Sequence, residues 1–303
     1  MDLFTAGKNN NNSTGVSYTS GFFMLIGIAL IMTFVAGLLI IAFLGSDPAA
    51  FKDPANADKI RLAQAVNVVI GFIFPAIVVA AMLNRKPFAL LGFDKEARIK
   101  QVGIVIGIAF LSVFIAGGLG LINRDIPVSA EWKLKFDNWE KAYMEQVALI
   151  LNLKNFGGYL MSLLIMAVLP AIGEEVLFRG GLQNFLSRAT RRPWLSIIIV
   201  SVLFSVIHFS FYGFLPRVFL GVMLGAIFYY TGNIWLAIAA HFFNNALAVT
   251  SAFVLTKQGK GLEEALNEDV SGAYWGLLAI PVVIVLFNAL RKTVTVNEIQ
   301  STT

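Results

Sequence analysis

Apolar stretches long enough to cross a bilayer recur from Phe22 almost to the C-terminus, and no water-soluble fold can hide that many at once. A spanning helix needs about 18 or more such residues. On that criterion the sequence predicts eight spans, at 21–44, 62–83, 101–122, 157–187, 194–212, 215–231, 233–255 and 273–290. Composition agrees: the chain is 57% hydrophobic and 14% charged, against about 25% charged in soluble domains. The expected fold is all-α, a polytopic membrane helix bundle of about eight transmembrane helices. The run from Phe22 to Leu44 is too long for a signal-peptide core, and no small-residue cleavage site follows it. There are no cysteines, so neither a disulfide framework nor a thiol nucleophile or thiolate metal site is available.

Charge placement gives the orientation. The 84–100 loop holds Arg85, Lys86, Lys95, Arg98 and Lys100, the 188–193 turn holds Arg188, Arg191 and Arg192, and the tail begins with Arg291 and Lys292. Lysine and arginine favour the cytoplasmic side, so these segments and both termini are expected inside, and a bacterial cytoplasmic (inner) membrane is the expected location. The 123–156 loop then falls outside, as does 256–272, where Glu263, Glu264, Glu268 and Asp269 outnumber Lys257 and Lys260. The net charge of +5 is therefore a loop property, and no nucleic-acid partner is expected. The chain divides into a flexible polar N-terminus (1–20), N-terminal spans with a long outer loop (21–156), a core (157–255) and a last loop, span and tail (256–303). No internal repeat and no phosphate-cradling glycine loop is present.

Ionisable residues inside the apolar runs point to chemistry. Span four carries Glu174, Glu175 and Arg179. Each ionisable group at a helix centre costs roughly 2.5–3.5 kcal/mol, which a merely structural span has no reason to accept. Glu175 and Arg179, four apart, share a helix face and can pair. Glu174 is rotated about 100° away and can point into a cavity. The two histidines of the chain, His208 and His241, lie in spans five and seven, His208 four residues after Phe204 and His241 four before Asn245. A carboxylate in an apolar cleft can serve as general base, and amide and imidazole donors can stabilise an oxyanion. Glu174, His208 and His241 are equally a ligand set for a divalent metal such as zinc. Both chemistries cleave an amide with water, and both stay open.

The order Glu-Glu-x-x-x-Arg, Phe-x-x-x-His, His-x-x-x-Asn resembles the CAAX-protease and bacteriocin-processing family of intramembrane proteases, which includes the type II CAAX prenyl endopeptidase. The resemblance covers about 157–255. It implies that Glu174 activates water with His208, that His241 and Asn245 form the oxyanion site, and that Glu175 and Arg179 support it. The substrate would be a membrane-associated protein or peptide, and the lipid bilayer the surrounding partner. The rival class is a non-proteolytic membrane protein, a bacteriocin-immunity scaffold or a proton-coupled transporter, since intramembrane Glu and His also mark proton relays. Phe204 of the second motif reads as packing, Asn244 as a helix contact, and Arg217 as an interfacial residue that can meet a substrate carboxylate. Counted along straight spans, Glu174 sits near mid-membrane, His241 nearer the cytoplasm and His208 nearer the outer face, and one site requires a common depth.

Overall fold

The computed structural model describes residues 12–260 and 273–300, with side chains at 12–260 and 274–294. The tail before residue 12 and the acidic stretch 263–269 lie outside the described residues. No strand occurs among the described residues. The helices are α1 Tyr18–Leu44, α2 Pro54–Leu83, α3 Ile99–Arg124, α4 Ala130–Ile150, α5 Phe156–Thr190, α6 Pro193–Val206, α7 Phe214–Thr231, α8 Ile234–Lys257 and α9 Tyr274–Val294. All but α4 and α6 are long and apolar enough to cross a membrane. The outward surface supports the same conclusion: Phe23, Leu30 and Phe34 of α1 are 66–68% exposed, an arrangement suited to hydrocarbon rather than water. The protein is an integral membrane protein. Residues 12–14 hydrogen-bond to the end of α2 and Arg85, so order reaches into the polar N-terminal stretch.

Two buried clusters flank the central helix α5. One joins α1 and α2 to α5 through Leu25, Val79, Leu83, Phe178 and Phe185. The other joins α3, α7, α8 and α9 through Ile108, Ile115, Ile227, Leu236 and Val283. Both α2 and α5 contain a proline, whose ring would clash with the carbonyl four residues earlier. Each helix resolves this with a wide π-type turn, Val68–Ile73 before Pro75 and Leu164–Val168 before Pro170. A third wide turn, Val176–Gln183, follows the glutamate pair directly.

Two expectations are corrected. The span expected at 194–212 stops at Val206, and α6 at 14 residues covers only about 21 Å of a hydrocarbon layer about 30 Å thick. His208 therefore lies in the turn beyond the helix. Phe209 adopts a left-handed backbone there (φ 49°), and Ser205 Oγ donates to the Phe214 carbonyl across the turn. Asn123 of α3, fully buried, clamps the same turn by donating to the Phe211 carbonyl (2.8 Å) and accepting from the Leu215 amide (3.0 Å).

The second correction concerns 123–156, expected as an outer loop: most of it is α4. Ser129 caps its N-terminus, and the Glu131–Lys135 (2.7 Å) and Lys133–Asp137 (3.1 Å) pairs run along it. Its start is pinned to the 207–213 turn. The Phe136 and Phe211 rings stack with centroids 4.0 Å apart, Ser210 Oγ donates to Glu140 (2.7 Å), and the Tyr212 hydroxyl donates to Asp137. At its other end Arg61 of α2 donates to the Ile150 carbonyl at 2.7 Å.

The Tyr212–Asp137 bond has a defined pH window. It raises the Tyr212 hydroxyl to about 12 and lowers the Asp137 carboxyl from its ordinary value. The tyrosine contribution is complete below its unfolded value of about 10 and disappears as pH rises toward 12. The aspartate contribution is complete above about 4 and disappears as pH falls further. Amide exchange across 130–145, corrected for intrinsic rates, should be flat between those limits and accelerate beyond each. Tyr212→Phe should accelerate it several-fold at neutral pH; unchanged exchange in that variant would show that the clasp does not hold α4.

Candidate active site

The glutamate pair sits where α5 meets α2, α7 and α8 most closely. Gly173, just before it, lies against Val68 of α2, where an added Cβ would come within 2.4 Å of a valine methyl. Glu175 is fully buried, and its Oε1 accepts from Arg179 Nη1 at 2.9 Å and from His241 Nδ1 at 2.8 Å. Arg179, 1% exposed, also donates to the Gly221 carbonyl of α7 (3.2 Å), and its guanidinium lies 4.7 Å from the centre of the Phe204 ring of α6. Gly221 makes this approach possible: a Cβ there would collide with Ser201 of α6 at 2.9 Å. Thus Phe204, read from sequence as packing, covers a buried cation and spaces α6 from α8.

Glu174 turns the other way, toward open space. Its Oε2 stands 3.7 Å from His241 Nε2, so the two ring nitrogens of His241 face two different carboxylates. His208 places Nδ1 2.7 Å from the Phe204 carbonyl. A carbonyl can only accept, so that nitrogen carries the proton and Nε2 is left as an acceptor. Glu174, His208, His241 and Asn245 line one cavity of about 450 Å³, together with Asn244 and Arg217. Glu175 and Arg179 lie behind its wall. A second space of similar size shares Glu174 and His208 and opens past Phe72, Trp139 and Phe209 between α2, α4 and the 207–213 turn.

The unequal depths counted along straight spans disappear for structural reasons. The early stop of α6 brings His208 in a turn beside Glu174, and the close α5–α8 contact puts His241 against both glutamates. Sequence reasoning missed the contributions of Gln64 from α2 and of Tyr143 and Gln146 from α4, which also line the cavity. The signal for α4 was present: a Ser129 cap, two i,i+4 ion pairs, and aromatics at 132, 136, 139 and 143 on one helical face. Gln64 belongs to no motif, and nothing in the sequence marks it.

Arg217 is held by folded contacts. Its guanidinium lies in the space left open by Gly213, 5.2 Å from the centre of the Tyr143 ring, with Nη1 3.4 Å from the Ser210 carbonyl. It also lines the cavity.

Glu174, His208 and His241, the metal set expected as one of two chemistries, line one cavity without being drawn together into a ligand cluster. Among the described residues no three His, Cys, Asp or Glu side chains are arranged to hold a metal ion. His241 Nδ1 is committed to Glu175 and His208 Nδ1 to a backbone carbonyl, which fixes both rings and leaves each Nε2 open toward the cavity.

Fold and site together define an intramembrane protein with a polar, carboxylate-bearing cavity among its helices. The sequence model of the family described as type II CAAX prenyl endopeptidase Rce1-like matches residues 156–247, which include Glu174, Glu175, Arg179, Phe204, His208, His241 and Asn245. That match supports the resemblance read from the three motifs and covers less than a third of the 303-residue chain. No curated protein and no solved structure matches the chain.

Removing one partner of a buried ion pair strands the other, at a cost of about 3–5 kcal/mol. Arg179→Met should therefore destabilise the detergent-solubilised protein by that amount in an unfolding titration. The double variant Glu175→Gln/Arg179→Met should lose less than the sum of the single changes. Strict additivity would show that the two residues do not act as a pair.

Proposed function

We propose that the protein is an intramembrane endopeptidase that hydrolyses peptide bonds of membrane-associated proteins or peptides, with Glu174 as general base. One observation carries the proposal: a carboxylate, two imidazoles and carboxamides from separate helices line a single cavity inside a membrane bundle. Membrane helices rarely spend ionisable groups this way without a function.

In this reading a water bound between Glu174 and His208 gives its proton to Glu174 as its oxygen attacks the carbonyl carbon. The Nε2 of His208, left as an acceptor, orients the same water. The oxyanion is stabilised by the Asn245 amide and by His241, whose ring Glu175 holds with Nε2 turned toward the cavity. Collapse of the tetrahedral intermediate passes the proton from Glu174 to the departing amine, so the acid and the amine products balance. Glu175 and Arg179 hold His241 and do no chemistry. No step runs through a metal. In this reading α6 still carries the chain across, since the turn after it meets α4, so the basic loops and both termini face the cytoplasm of a bacterial inner membrane and α4 covers the site from the opposite side.

The test is cleavage of apolar quenched-fluorescence peptides by purified protein, with and without a chelator. Glu174→Gln and His208→Ala should each reduce kcat/KM at least a hundredfold, the scale of a lost general base, while the proteins remain monodisperse. The chelator should leave the rate unchanged. Full activity in Glu174→Gln would remove the assignment, and a chelator-sensitive rate restored by zinc would overturn the metal-free mechanism. A protein that cleaves nothing yet still confers immunity or moves protons would belong to the rival class.

A further inference from the structure

The cavity carries four carboxamides: Gln64 from α2, Gln146 from α4, and Asn244 and Asn245 from α8. Within the described residues, none of these side chains makes a hydrogen bond to the protein. Asn244 is the sharpest case, because its Oδ1 is buried from solvent and has no partner. Several side-chain amides outside the cavity are used: Gln183 donates to the Gly225 carbonyl, Asn184 to the Leu90 and Gly180 carbonyls, and Asn123 clamps the 207–213 turn. Of the buried side-chain atoms without a partner among the described residues, Asn244 Oδ1 is the one that belongs to a residue lining the cavity.

Leaving a buried polar atom unpaired costs about 1–3 kcal/mol, so the Asn244 carbonyl is costly unless something completes it. What completes it must both donate and accept, because each carboxamide presents an NH₂ and a carbonyl. A peptide main chain has this chemistry. Drawn into a bilayer as an extended strand, it brings unpaired N–H and C=O groups that lipid cannot satisfy, each at a cost of several kcal/mol. Apolar side chains of such a strand need no recognition beyond the cavity's aliphatic wall of Val147, Ile150, Leu220 and Leu224.

We infer that Gln64, Gln146 and Asn244 form a main-chain subsite that holds an extended peptide across Glu174 by its backbone amides. The substrates are therefore unfolded or locally unwound segments, selected by backbone accessibility more than by side-chain sequence. Gln146 comes from α4, so the subsite is complete only when that helix is docked on the 207–213 turn. This inference rests on the peptidase reading and specifies its substrate.

The experiment pairs backbone and side-chain changes. A Leu/Ala-rich quenched-fluorescence peptide is made with single N-methyl groups at successive main-chain nitrogens away from the scissile bond. Each is assayed with wild type and with Gln64→Leu, Gln146→Leu and Asn244→Leu. N-methylation at particular positions should reduce wild-type kcat/KM about three- to tenfold, mostly through KM, the range set by one net hydrogen bond. For each such position one leucine variant should show a penalty close to one, because its partner is already gone. The penalty is a ratio measured within one preparation, so a variant that folds incompletely still reports it. If wild type cleaves the peptides but shows no N-methyl penalty, or if every variant retains it, the main-chain subsite is wrong and the peptidase reading stands. If wild type cleaves none of them, the peptidase reading falls and the inference with it.

Discussion

A single buried carboxylate organises the site. Glu175 Oε1 receives both Arg179 and His241, and Arg179 reaches on to the Gly221 carbonyl beneath the Phe204 ring. Side chains from α5 and α8, a backbone carbonyl from α7 and an aromatic face from α6 thereby converge on one ion pair. Lipid provides no hydrophobic force between helices, so polar contacts and close packing must fix their relative positions. With Glu175 holding His241, the ring is set against Glu174, and the adjacent glutamate needs no contact of its own to be placed. Two neighbouring acids thus divide the work, one spent on geometry and one left facing the cavity.

The same constraint explains why the bundle departs from regular helices near this point. Prolines at 75 and 170 impose wide turns on α2 and α5, and a third wide turn carries Arg179 itself. These turns change the rotation between successive parts of one helix. They allow α5 to present Glu175 toward α8 while Phe178 and Phe185 pack against the α1–α2 cluster. Gly173 and Gly221 remove the side chains that would keep α2 and α6 at ordinary distance. Close approach and irregular backbone are concentrated around the acids.

Much of this was legible in the sequence, and the part that was not has a common cause. Length and hydropathy are local properties, so seven of the spans could be read directly. The division of labour between Glu174 and Glu175 follows from 100° of helical rotation and the four-residue spacing to Arg179. The end of α6 could not be read, because Ile207 and Phe209 extend its apolar run while Asn123, 88 residues away from Phe211, fixes the turn. The docking of α4 depends on the same turn, through Glu140 and Asp137 reaching Ser210 and Tyr212. The contact of His241 with Glu175 was hidden by counting depth along straight spans. In each case a polar side chain distant in sequence decided the outcome, and periodicity contains no information about such pairs.

Unmet hydrogen bonds differ in kind between scaffold and cavity. Away from the cavity, Ser112 and Ser187 each leave a hydroxyl unpaired, and Glu175 Oε2 and Arg179 Nε lack partners but belong to groups already held by strong charged contacts at their other atoms. The residual cost there is that of imperfect geometry in a closed network. On the cavity side the open groups are whole side chains, neutral, and drawn from α2, α4 and α8 rather than from one helix. At the buried Asn244 position a scaffold stabilised for its own sake would carry leucine, which costs nothing in hydrocarbon. Amides that contribute nothing to holding the bundle together, yet surround the carboxylate that faces open space, are explained by what enters that space.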